Sequence, residues 1–179
     1  MDYVVTVPPT TEPLTSAEVT AHVIPIDSSD STYITDAIKD AREYCEDKTG
    51  RALAAQTIKA YPDRFECTMR LPREPIVSIT SVKYTDYDGV ETTMSATNYK
   101  LNEAAGRISF KEIPAFDPSI EKPIEITYTA GYTTLPRVIR RAMLILAAFW
   151  YENRGDKDLP EKVEKSVLIL LNGKKVFFL

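Results

Sequence analysis

The hydrophobic period of this sequence changes twice along the chain, and that change limits the folds open to it. Before about residue 55 the apolar side chains recur at helical spacing. From Gln56 to Gly131 they alternate, and after Gly131 the helical spacing returns. Such a chain reads as α+β: a small helical bundle built from the N- and C-terminal helices, with an antiparallel β-sheet or sandwich inserted between them. The expected divisions are 1–54 for an N-terminal arm and helices, 55–131 for the inserted β subdomain, 132–173 for helices completing the bundle, and 174–179 for a tail.

The helical segments carry their own start and stop signals. In PLTSAEVTAHV, Thr15 and Glu18 have the spacing of a capping box, which predicts a short helix to about His22, stopping before Pro25. The polar turn DSSDS leads to a longer helix from near Thr32 to Lys48, with Ile34, Ile38, Ala41 and Cys45 at helical spacing and Gly50 as its stop. Pro136 opens a helix to about Asn153. It carries two apolar stripes, one of Ile139, Met143, Leu146 and Trp150 and one of Val138, Ala142, Ile145 and Phe149, so it should be covered on more than one side. After the loop NRGDKD, Pro160 starts a last helix through Val163, Val167 and Leu170, which Asn172-Gly173 ends.

The middle of the chain predicts five to seven short strands divided by Pro and Gly. FECTMRL sets Phe65, Cys67, Met69 and Leu71 on one face against Glu66, Thr68 and Arg70 on the other. PIVSITSVKYTDYDGVETT reads as a hairpin turning at Asp88-Gly89. NYKL and GRISF give two more strands, and PIEITYTAGY alternates Ile124, Ile126 and Tyr128 with Glu125, Thr127 and Thr129.

Composition narrows the function more than it names it. Hydrophobic residues make up 44% and charged ones 27% of 179 residues, enough apolar material for a buried core. The formal net charge of −4 argues against a basic face that grips nucleic acid. No secretory signal is visible, and the apolar run Ala142 to Tyr151 falls short of the roughly 20 residues a membrane span needs. Cys45 and Cys67 read as small buried hydrophobes of a reducing compartment, so a soluble cytoplasmic product is expected.

Chemistry is hard to find. His22 is the one histidine and reads as an ordinary side chain; the cysteines have no companion at metal-ligand spacing. P-loop, dinucleotide-binding and nucleophile-elbow patterns are missing, so neither catalytic residue, metal nor cofactor is expected.

Three other features stand out. Asp36, Asp40, Glu43 and Asp47 share one face of the long helix, with Lys39 and Arg42 beside them. They read either as a solvated outer face or as the negative wall of a channel for a polyanion. Arg137, Arg140 and Arg141 crowd the start of the central helix, where cations oppose the macrodipole and call for acidic partners, in the same chain or in a neighbour. Finally, Lys174, Lys175, Val176, Phe177, Phe178 and Leu179 make a strand-forming, apolar end that needs a surface, its own edge or a partner's sheet.

In this order the segments resemble the head–tail connector (adaptor) proteins of long-tailed bacteriophages. The similar phrases are PLTSAEVTAHV…DSTYITDAIKDAREYCEDKTGRAL, LPREPIVSITSVKYTDYDGVE and ITYTAGYTTLPRVIRRAMLILAAFWYENRGD, which together cover nearly the whole chain. The resemblance implies a structural virion protein without catalytic residues. It would form a ring with copies of itself, typically dodecameric, beneath the portal protein at the head–tail interface, after assembly in the host cytoplasm. The ring would extend the channel through which double-stranded DNA passes without specific binding, and would carry the stopper or tail-completion protein; no membrane is involved. By the same resemblance the tail from Lys174 to Leu179 would dock into the portal. Ring contacts would use two different patches of each subunit, for which the apolar central helix and the arm from Met1 to Val7 are candidates. Two alternatives stay open: another neck component, such as a stopper or tail-completion protein, and a monomeric peptide- or carbohydrate-binding module with Tyr84, Tyr87, Tyr99 and Tyr128 lining a groove.

Overall fold

The structure, a computed structural model, describes residues 1–23, 31–153 and 158–174. The turn expected at 27–31 lies mostly, and the stop at Pro25 and the middle of the expected 153–158 loop wholly, outside the described residues. The fold is α+β, and the chain divides into two units. One comprises residues 1–10 and 55–132 and the other residues 11–54 and those from 133 onward. The first ten residues, expected with the helices, therefore belong with the sheet.

The first unit holds two antiparallel sheets. Strands β1 (Asp2–Val7), β2 (Gln56–Tyr61), β4 (Ile76–Thr85), β5 (Glu91–Thr93) and β8 (Ile124–Ala130) form a five-stranded sheet in the order β1-β2-β8-β4-β5. Strands β3 (Thr68–Arg70), β6 (Tyr99–Asn102) and β7 (Arg107–Phe110) form a second sheet in the order β3-β7-β6. The alternation in PIEITYTA is that of a central strand: Ile124, Ile126, Tyr128 and Ala130 are buried, while β2 on one side and β4 on the other satisfy the backbone.

Phe65 joins the apolar interior by edge contacts to Phe110, Phe116 and Tyr84, with ring centroids 5.1, 5.6 and 6.3 Å away. The β4–β5 hairpin turns where expected. Asp86 Oδ1 accepts from the amides of Asp88 and Val90, and Gly89 takes the positive φ of 76° that its turn requires. The regular alternation expected of FECTMRL holds only in part. β3 begins at Thr68, so Cys67 precedes the pleat and is exposed, whereas Phe65, Met69 and Leu71 are buried.

The second unit is helical: α1 (Ser16–His22), α2 (Ser31–Thr49), α3 (Arg137–Glu152) and α4 (Glu161–Asn172). The Thr15 side chain accepts from the Glu18 amide while the Glu18 carboxylate accepts from the Thr15 amide, which completes the capping box. α2 buries Ile34, Ala37, Ile38, Ala41 and Cys45, and α3 buries Ile139, Ala142, Met143, Leu146 and Ala147. Each fully buried large apolar side chain contributes about 1.5–3 kcal/mol relative to exposure. Of the two stripes on α3, the one of Ile139, Met143, Leu146 and Trp150 is covered at its first three residues and half-covered at Trp150. The other is covered at Ala142, half-covered at Ile145 and Phe149, and open at Val138.

Candidate functional site

Each charged feature picked from the sequence meets a different environment in the helical unit. On α2, Asp36, Asp40, Glu43 and Asp47 are all exposed, on the side away from Ile34, Ile38 and Ala41. Lys39 pairs with Asp36 at 3.2 Å. Partial desolvation, then the charges of Glu43 and Asp36, push the Asp40 carboxyl above its ordinary value, and Lys39 opposes them.

Arg42 is not part of that exposed row. It is buried, with its guanidinium 2.9 Å from Glu12, 3.0 Å from Glu46 and 3.2 Å from Glu43. Glu46 is buried too, and its other oxygen accepts from the Leu53 amide at 2.7 Å. One buried cation thus holds the segment before α1, the helix α2 and the chain just beyond it. Sequence reasoning missed this, although Arg42 and Glu46 stand four residues apart beside the buried Ala41 and Cys45.

The basic cluster at the start of α3 is divided. Arg140 forms an ion pair with Glu18, the capping residue of α1, and donates to the Pro13 carbonyl at 3.2 Å. Its partner is therefore in the same chain, but on α1 rather than on the acidic row of α2. Arg137 and Arg141 are exposed, and neither has an ion-pair partner among the described residues.

The C-terminal segment is described as far as Lys174. The Lys174 amide donates to the Leu171 carbonyl at 2.8 Å, and its own carbonyl accepts from Arg51 Nε at 2.6 Å. Lys175, Val176, Phe177, Phe178 and Leu179 lie outside the described residues. Near the same end of α4, Ile169 is 73% exposed. At its start Glu164 accepts from the Tyr44 hydroxyl at 3.2 Å and lies 3.6 Å from Lys48.

The sheet unit does not offer the tyrosine groove of a binding module. Tyr128 is fully buried and its hydroxyl donates to the Pro72 carbonyl at 2.8 Å. Tyr84 and Tyr99 are half-buried against Phe65 and Phe110, and Tyr87 stands out on the β4–β5 hairpin, 69% exposed. A shallow cleft near Tyr61 and Pro123 has its lysines engaged: Lys83 pairs with Glu91 at 2.7 Å and Lys122 lies over the Tyr61 ring. Among the described residues no group of three or more His, Cys, Asp or Glu is placed to hold a metal ion, and His22 is exposed at the end of α1.

Comparison with known proteins points to one setting. A sequence model described as "Head completion protein" matches residues 14–158. No curated protein matches the chain. Among solved structures, it is similar to a chain from the neck of an empty GTA particle computed with C6 symmetry, at 22% identity and a TM-score of 0.80, covering 100% of this chain and 97% of that one. It is similar to a chain of the virion of a native gene transfer agent (GTA) particle, at 23% identity and a TM-score of 0.75 over 100% and 97% of the two chains. A chain from the neck of the native GTA particle computed with C12 symmetry matches at 27% identity and a TM-score of 0.67, over 99% and 96%.

Proposed function

The chain belongs to the head completion protein family, and on that footing we propose that it is a non-enzymatic structural protein of the virion neck, a head–tail adaptor that assembles as a ring beneath the portal. The observation that carries this reading is the likeness, over 99% of this chain, to a chain from a neck computed with C12 symmetry. Copies of the chain would surround the DNA channel and carry the stopper or tail-completion protein on the side away from the head.

The features of the helical unit have roles in this reading. The exposed row Asp36, Asp40, Glu43 and Asp47 repels DNA phosphates and so keeps a passing polyanion from sticking. Arg137 and Arg141 are left for acidic groups of a neighbouring copy. The tail from Lys174 to Leu179 docks into the portal, with its base held by Arg51. That bond fixes the point from which the tail leaves the helical unit.

The test is binding to isolated portal rings of the same phage, by the intact chain and by a version ending at Gly173. Binding by the intact chain alone supports both the adaptor role and the tail as its strap. Equal binding keeps the adaptor and returns the tail to this chain's own fold. Binding by neither moves the protein to a lower position in the neck.

A further inference from the structure

Among the described residues the five-stranded sheet of the first unit ends in two open edges, an apolar one at β1 and a polar one at β5, whose residues are Glu91, Thr92 and Thr93. At one end β1 has a single neighbour among the described residues, β2, and all six of its residues are exposed. Tyr3, Val4, Val5 and Val7 are 41, 47, 37 and 50% exposed. Successive strand residues point to opposite faces: on the face of Tyr3, Arg73 donates to the Tyr3 hydroxyl at 2.9 Å and lies over its ring, while the face of Val4 is open. An edge of this kind presents free backbone donors and acceptors beside apolar side chains, and natural proteins usually protect it with a lysine, a proline or a covering loop. The six residues DYVVTV contain neither lysine nor proline.

At the other end β5 has a single neighbour, β4. Beside it the hairpin carries Tyr87 and Val90, 69% and 56% exposed.

We propose that these two ends are complementary halves of one contact between copies of this chain, the edge of β1 in one copy pairing with the edge of β5 in the next. The inference rests on the ring reading above and assigns that ring its inter-subunit surfaces. A second copy is the occupant because the open edges are different and lie at opposite ends of the same sheet. A head-to-tail contact uses both in every subunit and closes when the rotation closes. Pairing of β1 with another β1 would stop at a dimer and leave every β5 and its exposed Tyr87 and Val90 uncovered. The contact is small, since β5 offers three residues to the six of β1. It therefore forms when copies already stand side by side on a template, and free chains stay apart.

The test uses the full chain on isolated portal rings. Val4→Cys and Val90→Cys are combined in a Cys67→Ser background, since Cys67 is exposed, and the assembly is treated with a short bismaleimide linker. The expected result is a ladder of covalent multimers beyond the dimer, with each single variant remaining monomeric on a denaturing gel. Normal portal binding without a ladder overturns the proposal, as does a dimer formed by Val4→Cys alone. Wild-type chain that binds no portal ring sinks the ring reading and this contact together. A second variant covers poor assembly of the double one. Val4→Lys, at an exposed position, should keep the melting temperature and lower the number of copies held per portal ring several-fold, and an unchanged number overturns the proposal.

Discussion

Arg51 Nε donates to the carbonyl of Lys174 at 2.6 Å, which ties the residue just beyond α2 to the last turn beyond α4. A helix end leaves carbonyls without intrahelical partners, and a guanidinium is a strong donor to fill that vacancy. Arg51→Ala is expected to destabilise the helical unit by about 1.5–3 kcal/mol, the range for a hydrogen bond with a charged partner. Amide exchange at residues 171–174 should accelerate at the same time, while the sheet unit keeps its protection. If the tail is the portal strap, portal binding weakens as well, because its base is no longer fixed. Unchanged exchange at residues 171–174 would refute the anchoring role.

The buried Arg42 gives the largest expected loss. Removing it by Arg42→Ala leaves Glu12 and Glu46 facing each other without their shared cation, and breaking a buried pair in this way costs about 3–5 kcal/mol. Glu46→Gln is the milder change, since an amide oxygen can still accept from the Leu53 amide. Denaturant unfolding should therefore rank wild type above Glu46→Gln and Glu46→Gln above Arg42→Ala. The reverse order of the two variants would refute Arg42 as the group whose loss costs most.

These two sites also show what the sequence could and could not reveal. The capping box of Thr15 and Glu18 was legible because its signal lies within four residues, and so was the α2 core face, whose period is local. Both ends of α3 were legible from Pro136 and the apolar spacing. The pairing of Glu18 with Arg140 and the bond from Arg51 to Lys174 join residues more than a hundred positions apart, and no local pattern encodes them. Arg42 was misplaced because charge alone suggests an exposed face, whereas burial depends on Glu12 arriving from another segment. From the sequence, Met1 to Val7 reads as a strand or arm that lies on a neighbour. Within the chain it pairs with β2, fifty or more residues away, and no other described strand lies on its outer edge.

Gly106 marks a close approach that no side chain fits. Its φ is +59°, and a Cβ there would lie 2.4 Å from Glu74 Oε1 and 2.7 Å from Glu74 Cγ. Glu74 is buried and receives Arg70 Nε at 2.7 Å, so it cannot swing away without loosening that pair. Gly106→Ala should destabilise the sheet unit by about 2 kcal/mol or more, combining left-handed backbone strain of about 1–2 kcal/mol with displacement of the Glu74 side chain. Thermal or denaturant unfolding measures it, and a loss below about 0.5 kcal/mol would show that Glu74 yields freely.

The acidic row on α2 separates surface charge from stability. Asp36, Asp40, Glu43 and Asp47 are exposed, and exposed substitutions away from special features usually stay within about 0.5 kcal/mol. Replacing Asp36 and Asp40 by Asn should leave the melting temperature nearly unchanged. In assembled particles, on the channel-wall reading, it should slow DNA ejection, with the effect strongest at low salt where repulsion is least screened. Ejection that is unaffected at low salt would return the row to an ordinary solvated face.

Alkaline pH tests the contact between α2 and α4. Burial, then the charge of Glu164 and the hydrogen bond to it, raises the Tyr44 phenol from 10.0 to about 12. Burial, with Glu46 adding, raises the neighbouring Cys45 thiol from 9.0 to about 12. In the unfolded chain both groups ionise near their ordinary values, so between those values and about 12 the folded state holds more protons. Stability is then lost as pH rises, beginning near 9 for Cys45 and near 10 for Tyr44, and levels off above 12. Tyr44→Phe removes one of the two titrating groups and also the bond to Glu164. The variant should be less stable than wild type at pH 8 and lose less between pH 10 and 12. Parallel curves for the two proteins over that interval would show that Tyr44 ionises freely in the folded state.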